Sequence, residues 1–130
     1  MANKEASAAL QIELVAADRV VWSGQASEVL ARTVDGDLGV LANHSPLLSL
    51  LVPGVVEITP LEGDVVRAAI DSGFLSVADN HVSILSEDAF LASEVDASAA
   101  KAELEAAKSA DDADGVLRAE AKLRLIDKAS

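Results

Sequence analysis

The segment Val34–Ile58, VDGDLGVLANHSPLLSLLVPGVVEI, decides the fold of this chain. It combines glycine-containing turns, one histidine and a Ser-Pro step with two apolar runs that meet at Pro53-Gly54. Glycine and proline punctuate local structure, and short apolar runs between them are typical of buried strands. The segment has too few polar residues for a catalytic constellation, and it therefore predicts a strand-rich body.

The same short period extends on both sides of this segment. Leu10, Ile12 and Leu14 alternate with polar residues, which is the pattern of a half-buried strand. The remaining strand-like runs are Arg19–Trp22, Ser27–Thr33, Gly39–Leu41, Leu47–Val52, Val55–Thr59, Val65–Asp71, Phe74–Val77 and His81–Leu85. The turn-forming residues between them include Ser23-Gly24, Asp35-Gly36-Asp37, and two sets that resemble hairpin tips, Glu62-Gly63-Asp64 and Asp79-Asn80.

These runs predict an antiparallel β-sandwich or flattened barrel over residues 10–91, preceded by a flexible N-terminus at 1–9. Residues 92–130 differ, since they are rich in alanine and charge and carry few turn signals. Asp96 and the acids at 111–114 are placed as helix N-terminal residues, the first before a helix over Ala100–Lys108. Two helices joined by a short connection predict a C-terminal hairpin, which is too alanine-rich to be stable alone.

Composition excludes several classes of function. The net charge of -12 argues against nucleic acid, because phosphate is bound mainly by Lys and Arg. The chain has no cysteine, which removes disulfides and thiolate chemistry. It shows neither a signal-peptide or transit-peptide pattern nor an apolar run long enough to span a bilayer. We therefore expect a cytosolic chain without direct membrane insertion, whose contact with a membrane comes through partners.

Catalytic and metal motifs are missing from the sequence. No phosphate-binding loop, dinucleotide fingerprint, zinc-protease motif or nucleophile elbow occurs. His44 and Ser45 are adjacent on an extended chain and have no third orienting group, so a turn or contact role is favoured over catalysis. The aspartates at 35, 37, 111, 112 and 114 do not follow calcium-loop spacing. Trp22 and Phe74 are expected in the core, and His81 at the surface.

The last helix carries cations around an apolar stripe made by Leu117, Ala121 and Leu125. Arg118 and Lys122 are four residues apart, as are Arg124 and Lys128. One interpretation is ordinary solubility with favourable charge near a helix C-terminus. The other is a helix that docks on an acidic partner surface, with the stripe as its seam.

At this point the sequence resembles the epsilon subunit of bacterial F-type ATP synthases. The run VVWSGQASEVLARTVDGDLGVLANHSPLLSLLVPGVVEI over 20–58 carries the resemblance, and SGFLSVADNHVSILSEDA over 72–89 is similar to the last hairpin of that family's sandwich. The resemblance implies a sandwich of about ten strands followed by two helices. It also implies a non-catalytic subunit of the rotary, proton-translocating enzyme, whose catalytic sites lie on other chains.

The resemblance further implies a place in the central rotor stalk, peripheral on the cytoplasmic face of the bacterial plasma membrane. The expected partners are the gamma subunit, the c-ring and, through the C-terminal helices, the alpha/beta head. The Gly-acid-Leu-Gly loop falls on Gly36, Asp37, Leu38 and Gly39, which implies a c-ring contact. His44, Ser45 and Pro46 are implied as the gamma contact. The implied regulatory helix residues are Leu117, Arg118, Ala121, Lys122, Arg124, Leu125 and Lys128.

Two departures from the family pattern limit these expectations. Ala42-Asn43-His44 stands where many members have Pro-Gly-His, so the loop backbone is expected to differ. Members that bind ATP carry an Ile/Leu-Asp-x-x-Arg-Ala motif, and here Asp96 is kept while Ala99 replaces the arginine. A phosphate partner is thereby lost, Asp96 returns to a helix-capping role, and neither a cofactor nor a metal is expected. The rival hypotheses are a free-standing small-ligand sensor and an enzyme of unknown chemistry.

Overall fold

The computed structural model describes residues 9–129, and their side chains as far as Asp127. The predicted flexible segment 1–9 lies outside this range except for its last residue. The described strands are β1 Leu10–Ala16, β2 Arg19–Thr33, β3 Gly36–Leu41, β4 Leu47–Leu51, β5 Gly54–Pro60, β6 Val66–Ile70, β7 Gly73–Ala78, β8 His81–Ser86 and β9 Ala89–Leu91. A 3-10 turn at Ala92–Glu94 leads to α1, Ala97–Ser109, and α2, Ala113–Ala129.

The predicted β-sandwich with a C-terminal helical hairpin is confirmed, with nine strands among the described residues. The nine strand-like runs predicted from the sequence are not all the same strands, because the predicted break at Ser23-Gly24 is wrong and β9 was not predicted. Ser23 and Gly24 pair with Glu13 and Ile12 of β1, so the strand continues through them. A Cβ at Gly24 would lie 3.0 Å from the Trp22 ring, which shows that the glycine makes room for the indole rather than a turn.

β2 belongs to both layers of the sandwich. Its first half pairs with β1, and its second half lies between β3 and β5. Strands β1, β8, β7 and β4 form the first layer, and β4 returns to the end of β2 through Thr33 and Leu51. The second layer runs β3-β2-β5-β6-β9. One pairing, β1 with β8, is parallel.

The core lies between the two layers and is aliphatic. Alternate residues of β1 are fully buried, as the sequence pattern predicts, and they meet buried residues from the other strands. The largest fully buried side chains in the sandwich are Leu10, Ile12, Leu14, Val29, Val40, Val56, Ile58, Leu75, Val82 and Ile84. Phe74 is not among them, since 45% of it is exposed, and the prediction that it is a core residue is wrong.

Two hairpin tips predicted from sequence are confirmed. Asp79 and Asn80 have φ values of 51° and 62° and join the antiparallel pair β7–β8. Positive φ at both central residues is the mark of a type I′ turn, which Asn and Asp tolerate better than most residues. Gly63, with φ of 95°, lies in the connection between β5 and β6.

The helical hairpin packs on one outer face of the sandwich. Ala121 and Leu125 of α2 are fully buried against Ala69 of β6. The Asp96 carboxylate accepts a hydrogen bond from the Ser98 N–H at 3.0 Å, which confirms its capping role at α1. The Asp112 carboxylate likewise accepts from the Gly115 N–H at 3.0 Å in the first turn of α2.

We predict that Gly73→Ala lowers the free energy of unfolding by about 3 kcal/mol, since a new Cβ would overlap the Leu85 backbone carbonyl. Urea titration followed by Trp22, the only tryptophan, measures the loss. Gly54→Ala is the matched control, because its Cβ would meet neighbours at ordinary contact distance, 3.6 Å or more. Equal stability of the two variants would contradict the close approach of β7 to β8.

Candidate functional site

No cluster of three or more potential metal ligands occurs among the residues that the structure describes. The two histidines make local contacts in turns. The His44 Nδ1 lies 2.7 Å from the Ser45 carbonyl oxygen, and the His81 Nδ1 lies 3.3 Å from the Asp79 carbonyl oxygen. His81 is exposed and His44 is half-buried. The polar neighbour of the His44 ring is a backbone carbonyl rather than a nucleophile.

The resemblance implies a loop at Gly36–Gly39, but these residues form the first two-thirds of β3. The turn itself is at residues 34–35, and Gly36, with φ of 117°, starts the returning strand. The Asp37 side chain is exposed and pairs with Arg32 across the strands, with 3.2 Å between Nε and Oδ1. This end of the sandwich therefore presents an exposed carboxylate beside an exposed Val34.

Residues 44–46 lie at the opposite end of the sandwich. Asn43, with φ of 69°, donates its backbone N–H to the Asn80 side-chain oxygen at 2.6 Å, which joins this loop to the β7–β8 turn. The chain then enters β4 at Leu47 and reaches the other end at Leu51, which pairs with Thr33. The two predicted contact sets are thus about 17 Å apart, the length of a five-residue strand.

Sequence reasoning missed an exposed apolar row across the outer face of the first layer. Neighbouring strands place Leu50 beside Phe74, Phe74 beside Leu85, Leu85 beside Val15 and Val15 beside Val20. Four of these five side chains are between 45% and 60% exposed, and Val15 is half-buried. We call Val15, Val20, Leu50, Phe74 and Leu85 the apolar row.

Polar residues flank the apolar row on one side. The next row of the same face pairs Ser76 with Ser83 and Ser83 with Glu13. The row continues to Ser23 of β2 at one end and, at the other, to Leu48 of β4, which is 70% exposed. A contiguous exposed apolar surface with a polar border is typical of a protein interface. Only the run LLSLL of β4, apolar at both inward and outward positions, signals this face in the sequence.

The predicted regulatory residues of α2 have partners within the chain. Ala121 and Leu125 are buried and Leu117 is half-buried, while the Lys128 side chain lies outside the described ones. Arg118 lies 3.5 Å from an Asp71 oxygen, and the Lys122 Nζ lies 2.9 Å from a Glu103 oxygen and 4.7 Å from the centre of the Phe90 ring. The predicted helix stripe therefore faces the sandwich.

Arg124, by contrast, is exposed and borders a groove of about 410 Å³. The groove lies over β2, β3 and β5, beyond the part of the second layer that α2 covers. Its other charged residues are Arg32, Asp37 and Glu57, and its apolar lining includes Leu30 and Leu38. The end of the predicted regulatory helix and the predicted c-ring contact thus share one groove.

The cleft beside the family's ATP motif is lined by one cation among the described residues, Lys122, and this cation is already paired. Ala99 lines a cleft of about 180 Å³ together with Asp96, Glu103 and Lys122. Glu103 already pairs with Lys122 across this cleft. The neighbouring cleft of about 100 Å³ is lined by the acids Asp71, Asp88 and Glu103 and by the cations Arg118 and Lys122, which already pair with acids of the chain. Weak or absent ATP binding stays a prediction, which this charge balance favours.

An ion pair without any local signal in the sequence holds the linker between the sandwich and the helices. Arg19 makes two bonds to the Glu94 carboxylate, at 2.7 and 2.8 Å, and donates a third to the Ala89 carbonyl at 3.0 Å. Glu94 also accepts from the Leu91 N–H at 2.8 Å. The hydrogen bond from Arg19, followed by that from Leu91, lowers the pKa of the Glu94 carboxyl, while the bond to Glu94 raises the pKa of Arg19.

Comparisons with known proteins agree with this architecture. Residues 9–92 match the model of the β-sandwich domain of the ATP synthase delta/epsilon chain. The chain is 51% identical to the ATP synthase epsilon chain of Streptomyces avermitilis, over 92% of this chain and 97% of that relative. It is 45% identical to the epsilon chain of Corynebacterium efficiens, over 95% of this chain and 97% of the relative.

Solved structures show the same fold. A chain in the cryo-EM structure of the Euglena gracilis mitochondrial ATP synthase, OSCP/F1/c-ring, is similar with a TM-score of 0.71 and 25% identity, over 94% of this chain and 79% of that one. A chain of the Tetrahymena thermophila central stalk and c-ring structure gives a TM-score of 0.58 at 19% identity, over 92% and 95%. These matches define a delta/epsilon-type protein of ATP synthases. The chain belongs to the ATP synthase epsilon-chain family.

The described part of the chain has no helix with the length and apolarity needed to cross a bilayer.

We predict that the Arg19–Glu94 pair stabilises the fold at neutral pH and is lost in acid. Because folding lowers the pKa of Glu94, its contribution is present above the ordinary value of 4.5 and disappears as pH falls through the lowered value. Urea unfolding of the native chain and of Glu94→Gln from pH 7 downward should give a difference that shrinks below about pH 4.5. Asp88→Asn is the control, and a pH-independent difference for Glu94→Gln would rule the assignment out.

Proposed function

We propose that this chain joins the gamma subunit to the c-ring in the central stalk and regulates ATP hydrolysis through α1 and α2. In this role it performs no bond-making chemistry, the catalytic sites lie on other chains, and it binds no cofactor. It is held at the cytoplasmic face of the bacterial plasma membrane by its partners. The exposed apolar row is the observation that carries the proposal.

The apolar row suits a permanent partner. Large apolar side chains without charges are typical of the buried centre of a stable interface, and the adjacent serines supply hydrogen-bonding groups at its border. His44, Ser45 and Pro46 lead directly into β4, which carries Leu48 and Leu50 of this face. The proposed gamma surface therefore runs from this loop along β4 to the apolar row.

The c-ring contact is proposed at the other end of the sandwich. There Gly36–Gly39 presents the exposed Asp37 carboxylate, and Val34 extends from the β2–β3 turn. The c-ring and gamma contacts are connected by β3 and β4. Each of these strands is paired along its length, β3 with β2 and β4 with β7. A closed and densely packed sandwich resists deformation, which is the property that torque transmission requires.

The sensor hypothesis has less support. A sensor needs a concave pocket whose polar groups converge on a ligand. Several of the charged groups that line the grooves here already pair within the chain, as Arg32 does with Asp37 and Lys122 with Glu103. A free-standing sensor also gives no reason for the exposed apolar row, which is typical of a surface that another protein covers.

We predict that Leu50→Ser with Phe74→Ser weakens gamma binding by at least about tenfold, because both large apolar side chains would leave the interface centre. Titration of purified gamma by biolayer interferometry measures the affinity. Leu61→Ser is the matched control, since Leu61 is 50% exposed in the connection between β5 and β6. Unchanged affinity of the double variant would refute this surface as the gamma contact.

We also predict separate roles for the sandwich and the helices. A chain that ends at Asp96 keeps the Arg19–Glu94 pair, and should bind gamma and support proton-coupled synthesis close to the native level. ATP hydrolysis by the assembled enzyme should rise, because the helices that restrain it are gone. Rates of synthesis and hydrolysis in membrane vesicles measure both effects. Failure of the truncated chain to assemble would contradict the division of roles.

A further inference from the structure

The two cations on the docked face of α2 share an unusual arrangement. Each has one partner on the sandwich and a second partner within the helical hairpin. Arg118 lies between Asp71, at the end of β6, and Asp112, in the turn between the helices, with distances of 3.5 and 3.6 Å. Lys122 lies between Phe90 of β9 and Glu103 of α1.

The hairpin partners are independent of docking. Asp112 and Glu103 move with α2 because they belong to the same hairpin, and the helices contact each other closely at Gly115, where a Cβ would meet Ala107 at 3.0 Å. Separation of the hairpin from the sandwich therefore leaves each cation with an acidic partner. Neither cation is left without an acidic partner by release, which lowers the usual cost of breaking such a contact on the helix side, while Asp71 loses its cation as the departing helix opens it to solvent.

The apolar part of the docking contact is small. Its fully enclosed members are Ala69, Ala121 and Leu125, with Val55 and Val95 at the margin. Two of the three are alanines, which bury little area. The side chains of Arg118 and Lys122 are 34% and 21% exposed, so their contacts are open to screening by salt.

We propose that Arg118 and Lys122 form a two-partner latch. When the helices leave the sandwich, the two cations give up Asp71 and Phe90, keep Asp112 and Glu103, and become available to a new partner. The proposal deepens the regulatory role and rests on it for its consequence in the assembled enzyme. The docked state is then held by a small apolar contact together with two replaceable electrostatic contacts. The released face carries both cations beside the Leu117–Leu125 stripe, and it suits a receptor with an acidic group and an apolar ring about one helical turn apart.

Single-molecule fluorescence transfer in the full chain tests the latch. The chain has no cysteine, so Glu62→Cys in the connection between β5 and β6 and Lys108→Cys near the end of α1 supply the only dye sites. The undocked fraction of the otherwise native chain should rise between about 0.05 and 1 M NaCl. Asp71→Asn and Phe90→Leu should each raise it about two- to fivefold at low salt, and Asp71→Asn should flatten the salt response.

Matched changes on the hairpin side separate the latch from general destabilisation. Asp112→Asn keeps a capping oxygen and Glu103→Gln keeps a hydrogen-bonding group, and neither should raise the undocked fraction. Circular dichroism checks that each variant remains folded. If the hairpin-side changes release the helices as strongly as the sandwich-side changes, or if salt leaves the undocked fraction unchanged, the latch is refuted.

A second measurement separates the latch from the proposed function. Asp71→Asn should bind gamma like the native chain. It should lower ATP hydrolysis by the assembled enzyme, because a larger fraction of molecules has undocked helices that can reach the alpha/beta head. A raised undocked fraction without any change in hydrolysis would retain the latch and reject its regulatory use. Loss of gamma binding by the native chain would reject the stalk role alone.

Discussion

The structure depends on the continuity of β2 through Ser23-Gly24. This strand of 15 residues pairs with β1 in its first half and with β3 and β5 in its second half, and at Thr33 it meets β4. Both layers are therefore hydrogen-bonded to one piece of backbone. If the strand broke at the glycine, as its sequence suggests, the layers would lose much of this shared backbone and would depend more on side-chain packing and on the short pairing of Thr33 with Leu51.

The same continuity determines what the two outer faces can do. The second layer has its β5–β6 half covered by α2, and its β2–β3 half forms the groove beside Arg124. The first layer has no such cover within the described residues, and its outer face carries the apolar row. One sandwich thus holds its two helices on one side and leaves an exposed apolar face on the opposite side.

Much of the fold could be predicted from the sequence, because its signals are local. Alternation in β1, the Asp79-Asn80 turn and the Asp96 cap each depend on residues close in the chain. The exposure of Phe74 could not be predicted, because an aromatic residue in a strand is equally compatible with either face until the register is known. The Arg19–Glu94 pair joins residues 75 positions apart, and nothing local indicates it. Gly36-Asp37 favours a turn because glycine and aspartate are turn formers, yet the chain turns one step earlier, at Val34-Asp35.

The central claim is that this family member acts through the surfaces it presents to neighbouring subunits. Hydrogen–deuterium exchange of the full chain with and without purified gamma tests it most directly, since it reports every strand at once. The account predicts slower exchange in β4, β7 and β8 and in the loop at residues 43–46, with α1 and α2 unchanged. Protection confined to the helices or to β3, or no protection anywhere, would contradict it.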